Sequence, residues 1–300
     1  MTGTLAPAPT LDLTGCDREP IHIPEAIQPH GLLFVVDPGS LEVRREAGRL
    51  EAVTGRDSWL GRSIAARLGE ETVTRLREVL GTAPGGYAGR WEGGNGLDYD
   101  VLARIHPAGL IVEIEQSSQA ARLGVELISR LDAAGASIER AESLAAVCER
   151  AAEAFRDLTG FDRVMIYRFL DDAAGQVVAE SCAPGMDSFR NHRFPGSDIP
   201  RQARALYVRN PVRVIPDADY RPQPLRPAAA EPLDMSDCGL RSVSPIHLQY
   251  LRNMGVRASA SMSIIVDDEL WGLVACHSPQ PRLLPYELRM AATNLARVLS

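Results

Sequence analysis

The residues with the most chemical reach in this sequence are an acid in a stiff loop, a histidine at a helix start, a few arginines and serines, and one thiol. The loop is Phe194-Pro195-Gly196-Ser197-Asp198-Ile199-Pro200. Its prolines stiffen both ends, and the glycine lets the chain turn sharply between them. Pro200 disfavours the helical region for Ile199 and suits the first turn of a helix predicted over Arg201 to Arg209. The backbone therefore presents Asp198 and its carbonyl to whatever lies beside it. Taken alone, so short a motif also describes a loop that merely leads into a helix, with a solvated acid. His247 follows Ser244-Pro245-Ile246 at the start of another helix, where a histidine often has no special role. Ser259 and Ser261 are two apart in a strand and share one face. Arg213 and Arg241 carry planar guanidinium groups that match a carboxylate through two parallel hydrogen bonds. A surface ion pair is the plain alternative for either.

The cysteines are Cys16, Cys148, Cys182, Cys238 and Cys276. Their odd number and the lack of CxxC or zinc-type spacing suit a cytosolic chain with free thiols. Cys148 on a helical stripe and Cys276 in an apolar strand read as inert core. Cys16 sits in a polar, irregular tail where no core uses it. Leu13-Thr14-Gly15-Cys16 superficially resembles a lipoprotein cleavage box, but the preceding residues lack the basic start and apolar run of a signal. With 39 acidic and 32 basic residues, net −7, the charge balance argues against a nucleic-acid footprint. No run approaches the ~18 apolar residues of a membrane span. The expected location is cytoplasmic.

The positioning elements fall into three parts. Residues 1–20 read as an extended tail. Residues 21–118 begin with Ile21, Ile23 and Ile27 alternating with polar residues and prolines, a segment laid against another surface. A strand over 31–37, a second over 41–45, helices near 58–68 and 71–80, and strands near 97–105 and 110–116 complete an α+β unit of PAS type. Residues 119–300 hold helices over 120–131 and 137–158, the latter with Leu144, Val147, Cys148, Ala151, Ala154 and Phe155 on one stripe and Gly160 as its stop. Strands over 161–169 and 176–182 follow, then the stiff loop and its helix. The stretch from Pro216 to Asp237 is proline-rich and aperiodic, unusual inside a compact domain. A helix over 247–254, a hairpin over 258–277 turning at Asp267-Asp268, and a closing helix over 287–299 make an antiparallel sheet with helices on one side, a GAF-type unit.

Three further stretches carry a family resemblance: Arg241 through Gly255, Trp271-Gly272-Leu273-Val274-Ala275-Cys276-His277, and Cys16 with Pro20-Ile21-His22-Ile23-Pro24. With the Pro195–Pro200 loop they resemble the bilin-binding core of bacterial phytochromes, in the family's order and over nearly the whole chain. The resemblance implies a PAS domain followed by a GAF domain, joined by a figure-of-eight knot in which Ile27 threads a lasso made by the irregular stretch. It implies a red/far-red photoreceptor module and no turnover enzyme. Downstream PHY and histidine kinase output modules are expected outside this chain, with a possible homodimer through the GAF helices.

The implied cofactor is biliverdin, a linear tetrapyrrole, attached through a thioether to Cys16. Relatives that attach the bilin elsewhere use a cysteine before the histidine's helix or directly after the histidine. Here Leu248 follows His247, although Cys238 upstream complicates the choice. By the resemblance, the Asp198 carbonyl faces the pyrrole N–H groups, with Ile199 and Pro200 beside it, and His247 stands on the other side. Together they favour a protonated, cationic chromophore. Arg213 and Arg241 hold one propionate; Ser259, Ser261 and His247 hold the other, with Ser244 near. Met165, Tyr167, Phe189, Phe194, Tyr207 and Tyr250 wall the rotating ring, whose carbonyl His277 binds. Gly196 stands where alanine is more usual, a change expected to loosen the loop. The rival is a ligand-sensing PAS–GAF module for a cyclic nucleotide or other small molecule, which leaves Cys16 and the His247 motif idle. A bilin-modifying enzyme lacks support, since no redox motif or metal-type spacing accompanies the pocket residues.

Overall fold

The computed structural model describes residues 19–117 and 124–300. In the first unit, β2 (Gly31–Val36), β3 (Val43–Gly48), β4 (Gly85–Glu92), β5 (Asp98–His106) and β6 (Gly109–Gln116) form an antiparallel sheet in the order β3-β2-β6-β5-β4. Three short helices, α1 (Leu50–Thr54), α2 (Ala65–Leu68) and α3 (Glu70–Thr82), join β3 to β4. The run Leu32 to Val36 is apolar at every position because both faces of β2 are covered. Leu32, Phe34 and Val36 pack on the helical side, where Phe34 stacks on Trp59. Leu33 and Val35 pack on the other side against Leu225, Leu233, Met235 and Leu240 of the proline-rich stretch.

Two expectations for this unit fail. Residues 58–64 are not helical: Gly61 N–H donates to Val43 O at 2.9 Å, Ile64 N–H to Leu41 O at 2.8 Å and Trp59 N–H to the Glu46 carboxylate at 2.8 Å. The backbone donors a helix needs are taken by the strand beside them. Edge strand β4 is absent from the sequence reading because Gly85, Gly86 and Gly89 interrupt its alternation; Gly89 (φ 115°) lies at a bulge opposite Val101.

The second unit holds α4 (Gly124–Glu139), α5 (Leu144–Thr159), β7 (Arg163–Phe169), β8 (Gly175–Cys182), β9 (Arg193–Phe194), α6 (Arg201–Arg209), β10 (Val212–Ile215), α7 (Pro245–Asn253), β12 (Ala258–Val266), β13 (Glu269–Ser278) and α8 (Tyr286–Val298). Its antiparallel sheet runs β10-β12-β13-β7-β8-β9. The break between α4 and α5 falls later than the sequence suggests, where Ser143 caps α5 by accepting Ala146 N–H. Gly160 stops α5 in the left-handed region, φ 69°. On the expected stripe Cys148, Ala151 and Phe155 are buried, whereas Leu144, in the first turn, is 58% exposed. Asp267 and Asp268, φ 52° and 63°, make the expected tight turn between β12 and β13.

Strand alternation sorts this sheet into two faces. Val164, Ile166, Ala260, Met262, Val274 and Cys276 face α5 and α8 in the main core. Met165, Tyr167, Ser259, Ser261, Ala275 and His277 face the other way, into a cavity.

The units are tied by the segment before β2. Its β1 (Ala26–Ile27) pairs with β11 (Gln223–Pro224), and Ile27 also bridges Arg241. Gln28 N–H donates to Leu240 O at 2.8 Å and Ser242 N–H to Ala26 O at 2.9 Å. The proline-rich stretch thus flanks this segment on both sides, and Ile27 is fully buried.

Candidate functional site

The cavity, about 660 Å³, lies between the open face of β7, β12 and β13, helices α6 and α7, and the Phe194–Pro200 loop. The stiff loop folds as a 3-10 turn, Gly196–Asp198, with Asp198 N–H donating to Pro195 O at 3.1 Å. Pro200, at φ −65°, takes the N-cap position of α6. Asp198, Ile199 and Pro200 all line the cavity. The loop is braced by a residue with no evident signal in the sequence: Arg204 donates to Ile199 O at 2.9 Å and Ala173 O at 2.5 Å. Glycine at 196 also meets a packing demand. A Cβ there would lie 2.7 Å from Ala173 O, so glycine admits the close approach of the 173 turn.

Ser244 caps α7 by accepting Ile246 N–H at 3.2 Å, and Pro245 follows it. That cap sets His247 and Tyr250 on the cavity side of the helix, rings 6.2 Å apart and nearly parallel at 13°. Burial, with Arg213 adding to it, lowers the His247 pKa to about 4. His277, from β13, is lowered to about 3 by burial, then by Arg163 and His247. Both imidazoles are therefore neutral near neutral pH. His277 Nδ1 is buried with no hydrogen-bond partner among the described residues.

Arg213 on β10 and Arg241, on the adjoining segment, form the cationic end. Arg213 donates to the carbonyls of Arg241 and Gly239, and Arg241 donates to Ile21 O. Neither makes an ion pair among the described residues. Burial lowers Arg213 from its usual value; burial and then Arg213 bring Arg241 down to about 9. Arg241 Nε is buried and unpartnered. Two like charges in a low-dielectric pocket, neither ion-paired to an acid among the described residues, are a site that favours an anionic ligand. Ser259 and Ser261 stand on β12, with Ser261 paired across to Arg213 in the β10–β12 register.

Much of the remaining lining is aromatic. Tyr167, Phe194, Tyr207 and Tyr250 line the cavity with Met165. Tyr167 is pushed up to about 12, by burial and then by Asp198. Its ring lies against Gly175, where a Cβ would fall 1.8 Å from Tyr167 Cζ. Phe189 corrects the sequence reading: it does not line the cavity but packs behind Phe194, ring centroids 6.2 Å apart, under the Arg163 guanidinium at 4.1 Å. Its N–H donates to the Glu180 carboxylate at 3.0 Å, which turns the ring toward that ion pair.

Cys16 lies outside the described residues. Glu19 and Ile21, just after it, line the cavity, and Glu19 accepts the Ser244 hydroxyl at 2.5 Å. Cys148, Cys182, Cys238 and Cys276 do not line it. Cys238 is 1% exposed and its thiol is pushed well up by burial. Leu273 and Ala275, also in the lining, were overlooked, although their period of two with His277 marks them.

Residues 16–117 match the model of the PAS fold and residues 143–300 that of the GAF domain. The bacteriophytochrome of Pseudomonas aeruginosa is 37% identical over 294 residues, covering 96% of this chain. Cyanobacterial phytochrome B of Nostoc sp. is 35% identical over 302 residues. The chain spans 40% of the length of each of these relatives. Among solved structures, the chromophore-binding domain of a bacteriophytochrome from R. palustris superposes with a TM-score of 0.87 at 40% identity, covering 95% of this chain and 96% of that one. The photosensory core module of Stigmatella aurantiaca phytochrome gives 0.88 at 39% identity, over 97% of this chain and 60% of that one. A PAS sheet, a GAF sheet with an arginine-lined cavity, and this likeness across nearly the whole chain agree: the protein belongs to the phytochrome family, as a PAS–GAF chromophore-binding module of the bacteriophytochrome type.

Proposed function

We propose that the cavity holds biliverdin and that the module senses red and far-red light. The observation that carries this is the pair of cavity arginines without an acidic partner, opposite two serines and two neutral histidines in one pocket. When bound, the bilin supplies absorption of red light and a double bond that isomerises. Arg213 and Arg241 bind one propionate, and Ser259, Ser261 and His247 bind the other, with Ser244 near. The Asp198 carbonyl accepts from pyrrole N–H groups, and neutral His247 offers them a further polar contact. His277, with its free Nδ1, meets a ring carbonyl. Tyr167, Phe194, Tyr207, Tyr250 and Met165 pack the ring that turns.

Cys16 would hold the bilin through a thioether, its S–H adding across a vinyl group so that a C–S and a C–H bond replace the π bond and the S–H bond. Glu19 at the cavity and the absence of any described cysteine from its lining support that choice. The domain division is tail 1–20, PAS 21–118 and GAF 119–300. The flanking of Ala26–Gln28 by both arms of the 223–241 excursion fits a threaded figure-of-eight. We assign a homodimer contact to α4, where Val125 and Ile128 are 83% and 67% exposed. The signal passes to PHY and histidine kinase modules, in the cytoplasm; among the described residues no helix is long and apolar enough to cross a membrane. The arginine pair would also suit the phosphate of a cyclic nucleotide, but the likeness to phytochromes across nearly the whole chain favours the bilin.

Mixing apoprotein with biliverdin tests the reading. A far-red absorbance band that grows in and then changes under red light supports it, and an unchanged biliverdin spectrum overturns it.

A further inference from the structure

Glu113 sits in β6, the middle strand of the PAS sheet, on the face away from the helices. It is 9% exposed and makes no ion pair among the described residues. Its two carboxylate oxygens instead accept backbone N–H groups from the other side of the domain junction: Leu240 at 2.8 Å and Gly239 at 3.2 Å. Burial, then the neighbouring Glu115, raises its pKa to about 7, against the pull of those two donors. So buried a carboxyl with both oxygens committed to one peptide segment fixes that segment in place.

The same segment holds the cavity's cationic end. While the N–H groups of residues 239 and 240 point to Glu113, the carbonyls of Gly239 and Arg241 point to the Arg213 guanidinium. Leu240 O accepts Gln28 N–H at 2.8 Å, and Gln28 Nε2 donates to Val214 O at 3.0 Å, next to Arg213. Arg241 itself belongs to the segment. A shift of this backbone therefore moves both arginines at once.

We propose that Glu113 is a positioning residue for the arginine pair: through residues 239–241, the PAS sheet sets how Arg213 and Arg241 meet a ligand carboxylate. The inference rests on the reading that these arginines bind the bilin propionates. It gives the PAS sheet a part in ligand discrimination although Glu113 itself stands outside the cavity.

The test compares biliverdin with its dimethyl ester, in which both propionates are uncharged. The fast, reversible phase of the absorbance change gives a Kd for each. The parent binds biliverdin more tightly than the diester, and the ratio of the two constants measures carboxylate recognition. Glu113→Ala lowers that ratio about tenfold, the scale of one or two hydrogen bonds lost from a positioned charge. Glu113→Gln, which keeps its volume and one acceptor for Leu240 N–H, lowers it by a smaller factor, about threefold. A general loss of stability weakens both ligands alike and leaves the ratio unmoved. A parental ratio in either folded variant overturns the proposal; if Glu113→Ala does not fold, Glu113→Gln decides alone. A parent that does not distinguish the two ligands overturns the propionate reading, and this inference with it.

Discussion

The Tyr250 hydroxyl donates to Asp198 Oδ2 at 3.0 Å, joining the loop before α6 to the middle of α7. Burial and the Asp198 carboxylate together raise the Tyr250 pKa, so the phenol stays a donor at any ordinary pH. The acid at the centre of the loop is thus held by a side chain from the histidine helix, and both groups line the cavity.

If that carboxylate takes part in the light-driven rearrangement of hydrogen bonds, Asp198→His blocks photoconversion and leaves assembly with biliverdin intact. The backbone carbonyl survives the substitution. With the productive route closed, more excited molecules return by emission, so far-red fluorescence rises. Emission yield and the light-minus-dark difference spectrum of mutant and parent check this. A parental difference spectrum removes Asp198 from the mechanism.

Cys16→Ser is expected to abolish covalent attachment while the pocket still takes up biliverdin, since the other contacts assigned to the ligand lie in the GAF unit. Zinc-stained denaturing gels read the outcome. A fluorescent band on the mutant protein would move the thioether to another cysteine.

Gly175→Ala brings a methyl group into the Tyr167 ring. The ring must tilt or β8 must shift, and overpacking of this kind costs about 1–3 kcal/mol. A lower thermal midpoint of the apoprotein is expected, with a shifted absorbance maximum in the pigmented form because Tyr167 walls the cavity. An unchanged midpoint and spectrum would mean that the ring relaxes freely.

Acid should destabilise the apoprotein through its histidines. His30 and His247 titrate at about 4 and His277 at about 3, each lowered from 6.5 chiefly by burial. Between 6.5 and those values the unfolded chain binds protons that the folded chain refuses. Stability therefore falls as pH drops through that window, by roughly 1.4 kcal/mol per pH unit for each such group, and is unaffected by them above it. Urea midpoints near neutrality and at about pH 5 measure the slope. His277→Gln should flatten it; a slope equal to the parent's would show that His277 takes up protons alike in the folded and unfolded chain.

Much of the layout was legible in the sequence because it is written in local chemistry. Pro195 and Pro200 announce a rigid loop, Gly160 stops α5, Asp267-Asp268 turns the last hairpin, and the period of two puts Ser259 and Ser261 on one face. The helix around His247 follows from Ser244 and Pro245. These signals act within a few residues, and tertiary packing had nothing to overrule. The resemblance to bacterial phytochromes then assembled distant residues into one pocket, and most of those side chains do line one cavity.

What the sequence could not decide are contacts between residues far apart in the chain. Residues 58–64 look helical until the strand beside them takes their N–H groups. Phe189 looks like pocket wall until Glu180 and Arg163 draw it behind. Gly175 falls between the predicted strands 161–169 and 176–182, and only the folded sheet reveals the Tyr167 ring pressed on it. Arg204 and Glu113 carry no local signal, because position 173 comes near the first only once the second unit has folded, and positions 239–240 come near the second only once the two units have packed. Local torsion and side-chain alternation are properties of short stretches and so can be read from the sequence. A hydrogen bond across 127 residues, such as that from Leu240 N–H to Glu113, exists only in the tertiary structure.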